Sequence, residues 1–281
     1  MKQKIAIQGE LGSYSHLAAK EIYEGAEVIP CKTFDQALSL TKNNKDVNAV
    51  IPIENSIAGR VADVHYLLPK YKLHIIGESF HKVSHCLIIF KGNKLKNIKY
   101  VKSHSHAIGQ CHDNINKYKL MPIIETDTAG AAKKLSEEKN MESAVIASEL
   151  AAKIYDLEIV KKNFEDISGN TTRFLTMSSE VTNRITYDNT KKYITTCIFK
   201  LKSLPAALYN SLGGFATQNV NLTKLESFTV NNTFDQALFY LDLEGHPEDL
   251  KVNAAIEVLK KNTESLDILG VYQASNYRNK D

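Results

Sequence analysis

The stretch Lys4-Ile5-Ala6-Ile7-Gln8-Gly9-Glu10-Leu11-Gly12-Ser13-Tyr14-Ser15-His16 decides the architecture. An apolar run, a glycine-punctuated loop and a hydroxyl-rich helix start follow one another directly. They predict a strand over Lys4–Gln8, a loop over Gly9–Gly12 and a helix over Ser15–Tyr23. Reading outward, the same unit recurs. Val28–Pro30 leads to a helix over Phe34–Thr41, and Ala49–Ile53 leads to helical pattern from Ser56 to Leu68. His74–Glu78 and His85–Phe90 read as strands. Lys99–Val101 precedes a helix over Ala107–Asn116, Ile123–Glu125 precedes Thr128–Glu138, and Ala144–Ile146 precedes Ser148–Tyr155. Strand–helix alternation predicts an α/β fold, parallel strands with helices on their faces. Two such runs and a return segment near Ile159–Met177 predict two lobes around a cleft. Lobe 1 takes in about 1–78 and 157–180, and lobe 2 about 79–156.

Past residue 180 the pattern changes. Thr182–Lys192 is polar and turn-rich and reads as a linker. Strands follow over Tyr193–Lys200, Asn221–Phe228, Phe234–Leu243 and Ile268–Tyr272, with helices over Pro205–Ala216 and Glu248–Asn262. That order is β-α-β-β-α-β, the ferredoxin-like arrangement. The predicted division is a first domain over 1–180 and a second over 192–275.

Composition bounds the function. Of 281 residues, 43% are apolar and 24% charged, and the net charge is +3 from 35 basic and 32 acidic side chains. These are the values of a globular protein. The mixed charges are not the footprint of a nucleic-acid binder. No run of about 18 apolar residues is present, so no membrane span is expected. The N-terminus enters a strand directly and lacks a secretory pattern, so a cytoplasmic location is expected. Cys31, Cys86, Cys111 and Cys197 are scattered without metal-ligand spacing and read as free thiols of a reducing compartment.

Four strand-to-helix junctions carry polar clusters, where open α/β sheets place their ligand crevice. Gly9–His16 offers backbone N–H groups to an anion, or a plain cap through Ser13 or Ser15. Ile51–Gly59 sets Glu54, Asn55 and Ser56 straight after a buried strand. Ser103–Cys111 opens a helix, with Gln110 one turn in, on the face of His106. Ser168–Leu175 turns into an apolar strand with Arg173 at the join, suited to a carboxylate. Together these junctions favour a small anionic ligand, without separating a binding protein from an enzyme.

The junctions resemble the prephenate dehydratase family. The matching blocks are Gly9–Ala19, Pro52–Val61, His85–Ile88, Ser103–Cys111 and Thr172–Leu175. The second domain resembles an ACT domain through Leu204–Leu212 and Asn221–Ser227. The resemblance implies two lobes like those of type II periplasmic binding proteins, with no cofactor and no metal, acting on prephenate. It implies Thr172 as donor to the leaving hydroxyl, with Glu54, Asn55 and Gln110 lining the pocket. Arg173, Ser13, Tyr14, Ser103, Ser105 and Phe174 would bind substrate. Ala207, Leu208, Asn221, Leu222, Glu226 and Ser227 would meet a regulatory ligand, L-phenylalanine or another amino acid, in a homodimer or homotetramer. No fused chorismate mutase segment is expected. One departure stands out: the family's Gly-Ala-Leu and Glu-Ser-Arg-Pro read here Ala206-Ala207-Leu208 and Glu226-Ser227-Phe228-Thr229. The alternatives are arogenate dehydratase, and a non-catalytic ACT-linked sensor. Against the sensor stands the intact Thr172-Arg173-Phe174 with Glu54-Asn55.

Overall fold

The computed structural model describes residues 2–180, 186–229 and 237–279. The chain is α/β and carries three sheets. Contacts divide it into two compact units. Unit 1 comprises Met1–Leu40, Asp46–Val61 and Phe80–Phe174, and unit 2 comprises Thr41–Lys45, Ala62–Ser79 and Leu175–Asp281.

In unit 1, β1 (Lys4–Gln8) pairs in parallel with β2 (Glu27–Cys31) and β3 (Val47–Asn55). These strands belong to the first sheet, order β2-β1-β3-β11-β5, with β4 (Gly59–Arg60) on β3; of β5 (His74–Lys82) and β11 (Thr171–Ser178), residues 74–79 and 175–178 fall in unit 2. Helix α1 (Tyr14–Ile22) closes over Ile5, Ile7 and Val50 through its buried Ala18 and Ala19. The second sheet runs β10-β6-β9-β7-β8 and is built from Glu158–Lys161, Cys86–Ile89, Ser143–Ala147, Tyr100–Ser103 and Met121–Ile124. Its two faces carry separate apolar clusters, one with α6 (Thr128–Glu138) and α7 (Glu149–Ile154), the other with Ala107, Cys111 and Ile115. The Gly9–Gly12 loop docks on α7. Ser148 Oγ donates to Gly12 O at 2.5 Å and Tyr155 Oη to Leu11 O at 2.8 Å. A Cβ on Gly12 would lie 2.7 Å from Ala151 Cα, so only glycine fits this approach, at φ +92°.

Two helix readings shift for identifiable reasons. The helical pattern from Ser56 instead forms the β4 hairpin, and α3 starts at Ala62 and runs to Tyr71. Asn55 Oδ1 accepts from the N–H groups of Ile57 and Ala58, and Gly59 turns at φ +78°, so the chain reverses before any helix begins. The helix expected over Ala107–Asn116 is two helices, α4 (Ser105–Gln110) and α5 (His112–Lys117), broken at Cys111. The Asp166 carboxylate accepts from the N–H groups of Asp113 and Asn114, an N-terminal cap delivered from 52 and 53 residues away.

Unit 2 holds the third sheet, order β13-β14-β12-β15. Its strands are β12 (Tyr193–Leu201), β13 (Leu222–Thr229), β14 (Ala237–Glu244) and β15 (Thr263–Gln273), all neighbours antiparallel. With α8 (Ala207–Thr217) and α9 (Leu250–Lys261) the order is βαββαβ, as expected. Both helices cover one face through Phe215, Val252, Ala255 and Leu259. Within the same unit β5 approaches β15 so closely that a Cβ on Gly270 would lie 2.1 Å from Ile75 O. Glu78, on β5, has a fully buried side chain that accepts from Arg278 Nε at 2.6 Å and Nη2 at 2.9 Å. Of the expected linker, 182–185 lies outside the described residues, as does 234–236 of the expected Phe234–Leu243 strand. No helix among the described residues is long and apolar enough to cross a membrane.

Candidate active site

One polar chain runs through unit 1. Asn55, the last residue of β3, has its Oδ1 held by the backbone N–H groups of Ile57 and Ala58, at 3.0 and 2.9 Å. Those contacts turn its Nδ2 toward β11. There Nδ2 donates to Thr172 Oγ1 at 2.9 Å and to Asn170 Oδ1 at 2.5 Å. Asn170 Nδ2 donates to Gln110 Oε1 at 2.9 Å. Gln110 Oε1 also meets His85 Nε2 at 2.9 Å, and His85 Nδ1 meets Tyr14 Oη at 2.8 Å. Asn170, Thr172 and His85 are buried, at 2%, 8% and 2% exposure, so each unmade bond would cost about 1–3 kcal/mol.

Thr172 can donate because of who donates to it. Asn55 fills an acceptor position on Oγ1, which leaves the hydroxyl proton for another acceptor. Burial pushes the Tyr14 phenol up, so it stays protonated, and burial lowers His85, against the opposing pull of Gln110 and Glu165.

Glu54 and Arg173 face away from this chain, as alternation along β3 and β11 requires. Arg173 Nη1 donates to Glu54 Oε1 at 3.0 Å, and the Arg173 side chain is 1% exposed. The guanidinium expected to bind substrate carboxylate is thus held against a protein carboxylate. Ser13 caps α1, accepting from His16 N–H at 3.3 Å, so the cap reading fits this residue. Two expected contacts lie elsewhere. Ser103 is fully buried and donates to Ile146 O at 2.6 Å, tying β7 (Tyr100–Ser103) to β9 (Ser143–Ala147). Phe174, the fourth residue of β11, is 1% exposed in the apolar cluster of Ile5, Ile7 and Val50, where its ring is out of water. Ser105 opens α4 and is exposed. Asn170 and His85 are the links that the sequence reading did not select.

The remaining expected residues lie in unit 2. Ala207 and Leu208 open α8, beside a surface pocket of about 480 Å3 lined by residues from Leu201 to Tyr209. Asn221 precedes β13, which carries Leu222, Glu226 and Ser227; Glu226 pairs with Lys224 at 3.3 Å. Ala206 stands at φ +60°, ψ 13°, a left-handed backbone in which glycine costs least.

The prephenate dehydratase family model matches residues 5–182. A bifunctional N-acyl-homoserine lactone acylase/prephenate dehydratase from Komagataeibacter europaeus is 40% identical over 98% of both chains. Arogenate dehydratase/prephenate dehydratase 2 of Arabidopsis thaliana is 36% identical, covering 96% of this chain and 72% of the relative. The crystal structure of prephenate dehydratase in complex with L-Phe from Arthrobacter aurescens superposes with a TM-score of 0.86 at 26% identity, covering 96% of this chain and 90% of that one. A family model over most of the chain and relatives matched almost end to end lead to one statement: the chain belongs to the prephenate dehydratase family.

Proposed function

We propose that the chain converts prephenate to phenylpyruvate, with loss of carbon dioxide and water. The observation that carries this is the Thr172 hydroxyl, which accepts from Asn55 and keeps its own proton. Prephenate gains aromaticity when the carboxylate leaves as carbon dioxide and its bonding pair enters the ring. The ring C–O bond breaks, and the departing oxygen takes up one proton to leave as water. Hydroxide is a poor leaving group, so a donor to that oxygen speeds the step, typically by a factor of about 10² to 10⁴. Thr172 supplies the hydrogen bond, and solvent restores any proton it passes on. Gln110 has its oxygen filled by Asn170 and His85, which leaves its amide N–H groups as donors for substrate. Arg173, neutralised by Glu54, acts on this reading through the strand ends it pins.

We assign residues 1–180 to the catalytic domain and 192–275 to an ACT domain, in a cytoplasmic homodimer or homotetramer. The pocket beside Ala207 and Leu208 is the place for an amino-acid effector, L-phenylalanine first. The Komagataeibacter relative supports a second reading, hydrolysis of an N-acyl-homoserine lactone, because the likeness covers 98% of both chains. The test is phenylpyruvate formation from prephenate followed by ultraviolet absorbance, with and without L-phenylalanine, and in parallel L-phenylalanine formed from arogenate and homoserine lactone released from an N-acyl-homoserine lactone. Turnover of prephenate is expected. Turnover of arogenate alone would shift the substrate, and inertness toward all three would favour a sensor.

A further inference from the structure

We propose that His85 is a positioning residue for this reaction, holding a proton on Nε2 that completes the chain running from Asn55 and Asn170 and keeps the Gln110 amide oxygen in the chain and its N–H groups turned to substrate. The inference rests on the Thr172 reading above and deepens it.

The argument runs from a fixed end. Amide oxygen and nitrogen are interchangeable in shape, so their order must be assigned from partners. Asn55 admits no choice: two backbone N–H groups meet its oxygen, so its nitrogen faces Asn170 and Thr172. The Asn170 atom facing that nitrogen must then be the oxygen, and its own nitrogen turns to Gln110. The Gln110 atom between Asn170 and His85 must therefore be the oxygen. An oxygen that meets His85 Nε2 at 2.9 Å requires Nε2–H. With a bare Nε2, two acceptors would face each other inside the protein. Rotating the Gln110 amide would only pass the conflict to Asn170 and then to Asn55, where the backbone stops it. The chain would be left either with that conflict or with a turned Gln110 amide, which withdraws the Gln110 N–H groups from substrate.

The other side of the ring is adaptable. Tyr14 Oη lies 2.8 Å from both His85 Nδ1 and Ser84 O. It donates to Nδ1 of a neutral ring, or to Ser84 O if the ring is charged. The charged and titratable groups around the ring are Glu165, whose Oε2 accepts the His85 backbone N–H at 2.8 Å, Tyr14, and the thiols of Cys86 and Cys111, which burial pushes up. Burial also disfavours the charged ring, which supports a neutral Nε2–H form.

Two measurements test this on the full chain. The first is a two-bond proton–nitrogen correlation spectrum of the ¹⁵N-labelled protein at neutral pH, with His85 identified by its loss in His85→Gln. A protonated Nε2 is expected; a bare Nε2 overturns the proposal, whatever the enzyme turns over. The second compares His85→Gln with His85→Asn. The glutamine amide nitrogen reaches roughly the Nε2 position, and the shorter asparagine amide does not. His85→Asn is expected to lower kcat by about tenfold to a hundredfold with KM within about twofold, the signature of an interaction made in the transition state. His85→Gln is expected to recover most of that loss. Equal kcat for His85→Asn and the wild type, or equal losses in the two variants, sinks the positioning role. Wild type that leaves prephenate untouched would instead sink the Thr172 reading, and the spectrum would still decide the tautomer.

Discussion

Two buried threonines make opposite use of the same hydroxyl. Thr172, in unit 1, accepts from Asn55 Nδ2 and keeps its proton. Thr196, on β12 of unit 2, donates to Asp242 Oδ1 at 2.5 Å. Since that donation uses its only proton, Tyr272 Oη must be the donor in the 2.8 Å contact with Thr196 Oγ1. Thr196 and Asp242 are fully buried and Thr172 is 8% exposed. One hydroxyl proton is committed to the fold, and the other is the donor we propose for substrate. A threonine's role is thus decided by whether its neighbour donates or accepts, which neither burial nor residue type reports.

The sharpest way to break this contrast is Thr172→Ala. It should lower kcat by about 10² to 10⁴ with little change in KM, because a donor to a leaving group acts mostly in the transition state. Its urea midpoint should fall by the equivalent of about 1–3 kcal/mol, because one Asn55 Nδ2 proton loses its acceptor, so kcat is compared per folded molecule. Full activity in Thr172→Ala would remove the donor assignment. Asn55→Asp comes next. One carboxylate oxygen can still accept from Ile57 and Ala58 N–H, but the other would now accept the Thr172 proton. The side chain keeps its shape while the direction of one hydrogen bond reverses. A loss of about a hundredfold in kcat is expected if the direction of donation matters, and wild-type kcat would show that it does not.

Thr196→Val should give the mirror image. The isosteric change removes a donor to a buried carboxylate and should cost about 1–3 kcal/mol in chemical denaturation. Turnover per folded molecule should stay within about twofold of the wild type, since an interaction that serves only folding leaves transition-state binding intact. A fall in kcat without loss of stability would mean that the C-terminal cluster reaches the chemistry.

The fold was largely legible where the signals are local. The strand–loop–helix of Lys4–Ile22 follows the apolar run and the glycines. Helix α6 has the expected ends because Asp127 caps it and accepts from Gly130 N–H, both within one turn. Boundaries drifted where the cap comes from afar, as Asp166 does for α5. The site shows the same divide. Thr172, Asn55 and Gln110 stand in the polar junctions that the sequence offers, and one hydrogen-bond chain joins them through Asn170. His85 opens a matched block and Asn170 lies in a polar junction, but neither is singled out there, because each is tied to the others only through Gln110, 25 and 60 residues away. Phe174 was drawn in by its place beside Thr172 and Arg173, although its apolar side chain belongs to the core.

The smallest effect carries the contrast to the backbone. Where the family pattern has glycine, Ala206 keeps a left-handed conformation at φ +60° at the start of α8, with no side-chain cap. In the active-site chain, side-chain identity sets the function while the backbone is ordinary. At Ala206 the backbone is unusual and the side chain is the replacement. The left-handed region costs an alanine about 1–2 kcal/mol relative to glycine. Glycine in turn loses about 0.4–1 kcal/mol through the greater freedom of its unfolded chain. Ala206→Gly should therefore stabilise the protein by roughly 0.8 kcal/mol, the difference between the middles of those two ranges, raising the urea midpoint with an unchanged slope. A clear loss of stability would mean that alanine at 206 makes contacts worth more than its strain. If the gain appears, and L-phenylalanine inhibits the wild type and Ala206→Gly alike, the turn's shape rather than the glycine itself is what the regulatory pocket requires.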